Sequence, residues 1–151
     1  MNHDRYSSDY LCDILGSVKN VAVVGASDND ARPSHWVMGF LLGKGYHVFP
    51  VNPAHAGKTI LGQKVYARLS DLTEPMDMID VFRSADRFGE VVDEVLALPL
   101  PSRPDVIWGQ LSVRDDEAAR KAEAAGLKVV MDRSLVTDYS LVHQRQHASR
   151  H

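Results

Sequence analysis

The run "VAVVGASDNDARPS", Val21 to Ser34, places a glycine after a short apolar stretch and an arginine just before a proline. Residues of these types at this spacing can hold an anion. Gly25 and the small Ala26 let backbone N–H groups approach phosphate oxygens. Ser27 and Ser34 add hydroxyl donors, and Arg32 adds a planar fork that matches two phosphate oxygens at once. Pro33 suits the first turn of a helix, whose positive dipole end would face the same anion. The same glycine could also do no more than turn a strand into a helix, so the surrounding elements must decide.

Those elements follow from hydrophobic periodicity. Residues 8–18 carry Leu11, Ile14, Leu15 and Val18 at helical spacing. The valine-rich 20–25 predicts a strand buried on both faces, and 33–44 a helix with Val37, Phe40 and Leu41 inward. Strands are predicted at 46–52, 77–82, 105–111 and 128–132, and helices at 84–97 and 115–125, the last ended by Gly126. Residues 57–72 predict a small β excursion turning at Leu61-Gly62-Gln63. Strands alternating with helices imply right-handed crossovers and a Rossmann-like, doubly wound, mostly parallel α/β sheet in three layers. Such folds bind ligands beyond the carboxyl ends of their strands, where Gly25–Arg32 would lie. One domain is expected over 1–140, with a loose polar tail over 141–151.

NAD is the usual ligand of such a turn, and two features count against it. After Gly25 come Ala26, Ser27, Asp28, Asn29 and Asp30, so the G-x-G-x-x-G spacing is missing. The second strand ends Val51-Asn52-Pro53, where an NAD site wants a carboxylate for the ribose hydroxyls. Lys58 lies a few residues on and could meet an extra phosphate, which leaves NADP open.

Taken in order, "VGAS", "RPS", "GYHVFPVNP", "AGKTILGQKVYARLSDL", "DMIDVFR" and "AAGLKVVMDR" resemble the small bacterial CoA-binding domain proteins. These are similar to the N-terminal CoA-binding domain of the succinyl-CoA synthetase α-subunit. The resemblance spans about residues 15–139 and implies a fold that holds coenzyme A or an acyl-CoA. It implies that Gly25, Ala26, Ser27, Arg32, Ser34 and Val37 surround the phosphates, and that Val51, Asn52 and Pro53 border the adenosine. It places Phe82 and Arg83 in the crevice and Gln110 and Arg133 on its far side. This chain departs from the pattern in two places. Asp28 and Asp30 fall in the phosphate loop and are expected to face solvent, and Ser134 stands in a segment where relatives often carry cysteine.

No catalytic constellation is legible. The synthetase's phosphorylated histidine belongs to a second domain for which this sequence has no counterpart. Asp77 and Asp80 bracket two strand residues, so alternation sends them to opposite faces. Asp115, Asp116 and Glu117 open a helix, where negative charge is favoured by the dipole. Asp132 has no partner nucleophile in the sequence. His143, His147 and His151 sit in the expected tail, while His35 and His55 fall near the ligand loops. Trp108 is expected in the core or the pocket wall.

Net charge of -3 removes the electrostatic argument for nucleic acid or an anionic membrane. Cys12 is the single cysteine, so no intrachain disulfide and no cysteine-based metal cluster can form, and a buried thiol is expected. No apolar run reaches the ~20 residues of a membrane span. The expectation is a cytoplasmic, non-catalytic CoA-binding module, with an NAD(P)-dependent oxidoreductase or redox sensor as the alternative. A partner chain or a second copy is left open.

Overall fold

The computed structural model describes residues 1–148, with side chains through residue 143. Its centre is a five-stranded, all-parallel sheet. The strands are β1 (Asn20–Val24), β2 (His47–Val51), β5 (Met78–Val81), β6 (Val106–Gly109) and β7 (Lys128–Val130). Between β2 and β5 the chain forms an antiparallel hairpin of β3 (Thr59–Ile60) and β4 (Gln63–Lys64). The sheet order is β2-β1-β5-β6-β7. The chain thus leaves β1 toward one edge and returns to its other side, which puts the switch point between β1 and β5.

Alternation along the strands builds two cores. Val21 and Val23 of β1, with Met78, Trp108 and Val130, face α1 (Ser8–Ser17), α2 (Pro33–Gly43) and α5 (Leu135–Ala148). Ala22 and Val24, with Ile79, Ile107 and Val129, face α3 (Ala85–Leu96) and α4 (Asp116–Ala124). This is the three-layer, Rossmann-like arrangement that the periodicity predicts. Trp108 is fully buried and its indole N–H donates to the Arg133 carbonyl at 3.0 Å, so it belongs to the core. Cys12 is partly buried against the same cluster.

Helix ends are fixed locally. Ser7 caps α1 by accepting from the Tyr10 N–H at 3.1 Å. Pro33 opens α2. Asp115 caps α4 by accepting from the Ala118 N–H at 3.1 Å, with Asp116 and Glu117 in the first turn. Removing that cap in Asp115→Ala is expected to cost about 1 kcal/mol of stability. Denaturant unfolding of the two proteins measures it, and an unchanged midpoint would show that Asp115 contributes nothing as a cap.

One expectation is corrected. The loose tail from 141 is, over 141–148, the second half of α5. That helix starts at Leu135, and Ser134 Oγ accepts from the Thr137 N–H at 3.3 Å at its N-terminus. Val142 is buried in the core, and the His143 ring stacks on Tyr139 at 5.8 Å. The side chain of His147 and all of His151 lie outside the described residues.

Candidate functional site

The carboxyl end of β1 is laced to both neighbours. The Gly25 N–H donates to the Val51 carbonyl at 2.9 Å and the Phe82 N–H to the Val24 carbonyl at 2.8 Å. Gly25 adopts a φ of +86°, which turns the chain out of the sheet. The loop is then held by its own polar side chains. Ser27 Oγ accepts from the Asn29 N–H at 3.1 Å, and Asn29 Oδ1 from the Ala31 N–H at 2.9 Å. Asn52 ties the next loop to this one, because its Nδ2 donates to the Ala26 carbonyl at 2.8 Å while its Oδ1 accepts from the Ala54 N–H at 2.9 Å.

Above these loops lies an open cavity of about 610 Å³ at the switch point. Gly25, Ser27, Arg32, Ser34 and Val37 line its β1–α2 wall, with Asn52 beside them. Phe82, Arg83 and Gln110 line the side formed by the ends of β5 and β6. Nine of the residues singled out from sequence therefore meet in one place. The others do not line it. Ala26 and Val51 are buried beneath the loop and contribute backbone only. Pro53 and Lys58 are exposed along the connection to the hairpin. Arg133 turns to α5, where its guanidinium bonds Asp138 at 2.6 and 3.0 Å. Those bonds to a nearly fully buried carboxylate hold the Arg133 pKa above its ordinary value.

Sequence reasoning missed three apolar residues of the rim. Trp36 (62% exposed) and Leu111 (63% exposed) stand at the mouth, and Val113 lies deeper. The signal for Trp36 was present: it falls off the α2 stripe formed by Val37, Met38 and Leu41. Ser134, set apart above as a departure from relatives, also lines the cavity.

The charges are distributed to suit an anion. Arg32 and Arg83 are exposed on the cavity wall and make no side-chain hydrogen bond or ion pair among the described residues. Arg32 sits at the N-cap of α2 without capping it by side chain, so its fork is available beside the helix dipole. Asp28 and Asp30 are exposed, as expected, and Asp28 lies 3.8 Å from His55. His35 belongs to a shallow groove with Trp36 and Leu61, outside the main cavity.

Asp77 and Asp132 have structural partners. Asp77 Oδ2 accepts from the Lys19 and Asn20 N–H groups at 2.9 and 2.8 Å. Asp132, at φ +56°, accepts from the Ser112 N–H at 2.6 Å and so joins the loops after β6 and β7. Asp80 is different. It is fully buried in β5, and its Oδ1 accepts from Gln110 Nε2 at 2.5 Å. Burial pushes its pKa up to about 7, against the smaller lowering effect of the Gln110 bond. Among the described residues no cluster of three His, Cys, Asp or Glu could hold a metal, and no helix is long and apolar enough to cross a membrane.

Comparison with known proteins agrees with this geometry. The sequence pattern of the CoA binding domain matches residues 19–140. The uncharacterized protein YneT of Bacillus subtilis (strain 168) is 34% identical over 120 residues, covering 80% of this chain and 84% of that protein. The structure of cell-free ID.343 from Thermus thermophilus superposes with a TM-score of 0.83 at 36% identity, over 91% of this chain and 99% of that one. A hypothetical protein from Pyrococcus horikoshii OT3 gives 0.83 at 30% identity, over 94% and 96%. With the family pattern covering both the Gly25–Arg32 loop and every strand of the sheet, the chain belongs to the CoA binding domain family.

Proposed function

We propose that this chain is a single-domain binding module that holds coenzyme A or an acyl-CoA in the switch-point cavity and acts without catalysing a reaction itself. One observation carries the reading. The cavity sets Arg32, with no protein partner for its side chain among the described residues, beside the Gly25 turn and the start of α2, while neutral Asn52 follows the second strand. That is an anion cradle without the carboxylate that an NAD ribose needs. CoA asks for the cradle twice, at its pyrophosphate and its 3′-phosphate, and makes no demand for the acid.

The rim supports the rest of the molecule. Trp36, Leu111 and Val113 offer apolar surface to a pantetheine arm or an acyl group. On the cavity wall the Ser134 hydroxyl accepts from the Thr137 N–H at the start of α5, and His35 and His55 lie outside. A lone cysteine suits a reducing compartment, and the module is assigned to the cytoplasm.

Calorimetric titration of ligand-stripped protein with CoA, dephospho-CoA, NADH and NADPH tests the reading. CoA is expected to bind in the micromolar range or tighter, dephospho-CoA distinctly more weakly, and the nicotinamide nucleotides not at all. Binding of a nicotinamide nucleotide alone would replace this reading with that of an NAD(P) protein on the same fold.

A further inference from the structure

Asp80 is an expensive residue where it stands. Its neighbours in register are Val23 on β1 and Trp108 on β6, and the carboxyl group has no exposure. Its Oδ2 has no hydrogen-bond partner in an otherwise apolar layer. Leaving a buried carboxylate oxygen unpaired costs more than burying an apolar side chain of similar size. Packing therefore does not account for an aspartate here. Its one polar contact does point somewhere: Gln110, which lines the cavity.

An amide has two ends. Gln110 Nε2 is committed to Asp80 Oδ1, so the carbonyl Oε1 is the end left to answer a ligand. We propose that Asp80 is a positioning residue: its buried carboxylate turns the Gln110 amide so that Oε1 faces the cavity and accepts a hydrogen bond from a neutral N–H donor of the bound molecule. The proposal rests on the CoA reading above and deepens it. A carbonyl oxygen repels phosphate, so this end of the cavity does not serve the pyrophosphate. Gln110 follows β6, two strands from β1 and hence about 10 Å across the sheet from the anion loop. With the adenosine assigned to Val51–Pro53 at the end of β2, on the opposite side of β1 from β6, the N–H donors left for Gln110 are the two amides of the pantetheine arm.

The surroundings leave the orientation to Asp80. The inward residues of α1 are Leu11, Ile14 and Leu15, and those of α2 are Ser34, Val37, Met38 and Leu41, none of which titrates. The buried charge on α5 is Asp138, already closed on Arg133. Arg32 and Arg83 are the cavity's own cations. An ionised Asp80 accepts only and holds the amide by its NH₂ group. A protonated Asp80 can donate from its hydroxyl or accept at its carbonyl oxygen, so it no longer fixes the amide, and NH₂ can turn to the ligand. With the carboxyl titrating near 7, recognition of the arm strengthens as pH rises through that value.

The test titrates wild type, Asp80→Asn and Gln110→Met with CoA and with adenosine 3′,5′-bisphosphate, which has the base, ribose and phosphates but no amide arm. Asparagine keeps the shape of the site and bonds Gln110 in either orientation. Asp80→Asn, which leaves both orientations of Gln110 open, is expected to weaken CoA about two- to threefold and to leave the bisphosphate unchanged. Gln110→Met removes the acceptor itself and is expected to weaken CoA about five- to tenfold, the worth of one neutral hydrogen bond, again without touching the bisphosphate, and it serves if Asp80→Asn does not fold. The ratio of wild-type to Asp80→Asn affinity for CoA is expected to climb between pH 6 and 8, and this ratio cancels titration of the ligand's own phosphates. Equal losses on both ligands, or no loss on CoA, overturn the role of Asp80 while leaving the CoA reading intact. A wild-type protein that takes neither ligand removes the CoA reading and this proposal with it.

Discussion

Arg32→Ala is expected to weaken CoA binding by roughly 1.5–3 kcal/mol, the range for a lost charge-assisted hydrogen bond, which is about ten- to a hundredfold in affinity. The expectation comes from what Arg32 does not do. It occupies the N-cap of α2 yet makes no capping bond, and its side chain has no carboxylate partner among the described residues. An exposed, unpartnered guanidinium contributes little to stability, so the same substitution should leave the unfolding midpoint within about 0.5 kcal/mol of wild type. Arg32→Lys keeps the charge and gives up the fork, and is expected to fall between the two. Titration calorimetry of the three proteins decides it. Equal affinities would take Arg32 out of the phosphate site and leave Arg83 as the remaining cation of the wall.

The contrast between Arg32 and Arg133 shows what the sequence could and could not supply. Both arginines follow a strand and precede a helix, and sequence alone gives them the same promise. The difference lies five residues further on. Asp138 turns inward from α5 and takes up Arg133, while nothing in α2 does the same for Arg32. Lys58 fails for another reason. It is only six residues beyond Asn52, but Pro53–His55 winds into a short helical turn and the hairpin carries the lysine away. Nearness in sequence is not nearness in space here.

The elements themselves were more legible than the site. Strands buried on both faces read as continuous valine and isoleucine runs, and helices α1 to α4 each keep an apolar stripe. Helix α5 is not foreseen from periodicity because its inward face is not purely apolar: buried Asp138 interrupts it, and polar residues dominate its last turns. Asp80 was visible as a charged residue inside a strand, and alternation correctly set it apart from Asp77. What alternation does not tell is that both faces of β5 are buried, so that any carboxylate there must be satisfied or tolerated. A charge in the middle of a two-sided buried strand is the signal that Asp80 must find a polar partner, which the fold supplies in Gln110.

The second large effect concerns the turn itself. A Cβ on Gly25 would lie 2.5 Å from the Phe82 carbonyl oxygen, which is backbone and cannot swing aside. Gly25→Ala therefore meets two penalties. A left-handed φ costs an L-residue roughly 1–2 kcal/mol, and forcing a methyl against packed backbone adds roughly 1–3 kcal/mol. Gly45 separates them. It has nearly the same φ, +90°, with open space where its Cβ would go. Gly45→Ala thus bears the conformational cost alone, and thermal or denaturant unfolding of both variants gives the steric term by difference. Gly25→Ala is expected to be the less stable of the two by more than about 1 kcal/mol. It should also lose CoA affinity, because the strand end it displaces carries Phe82 and Arg83 on the cavity wall. Gly45→Ala, at the far end of β2's approach, should bind as wild type does. If the two variants proved equally stable, the end of β5 would have to yield freely to the turn. The three-strand lacing through Val51, Gly25 and Phe82 could then not be what holds the cavity open.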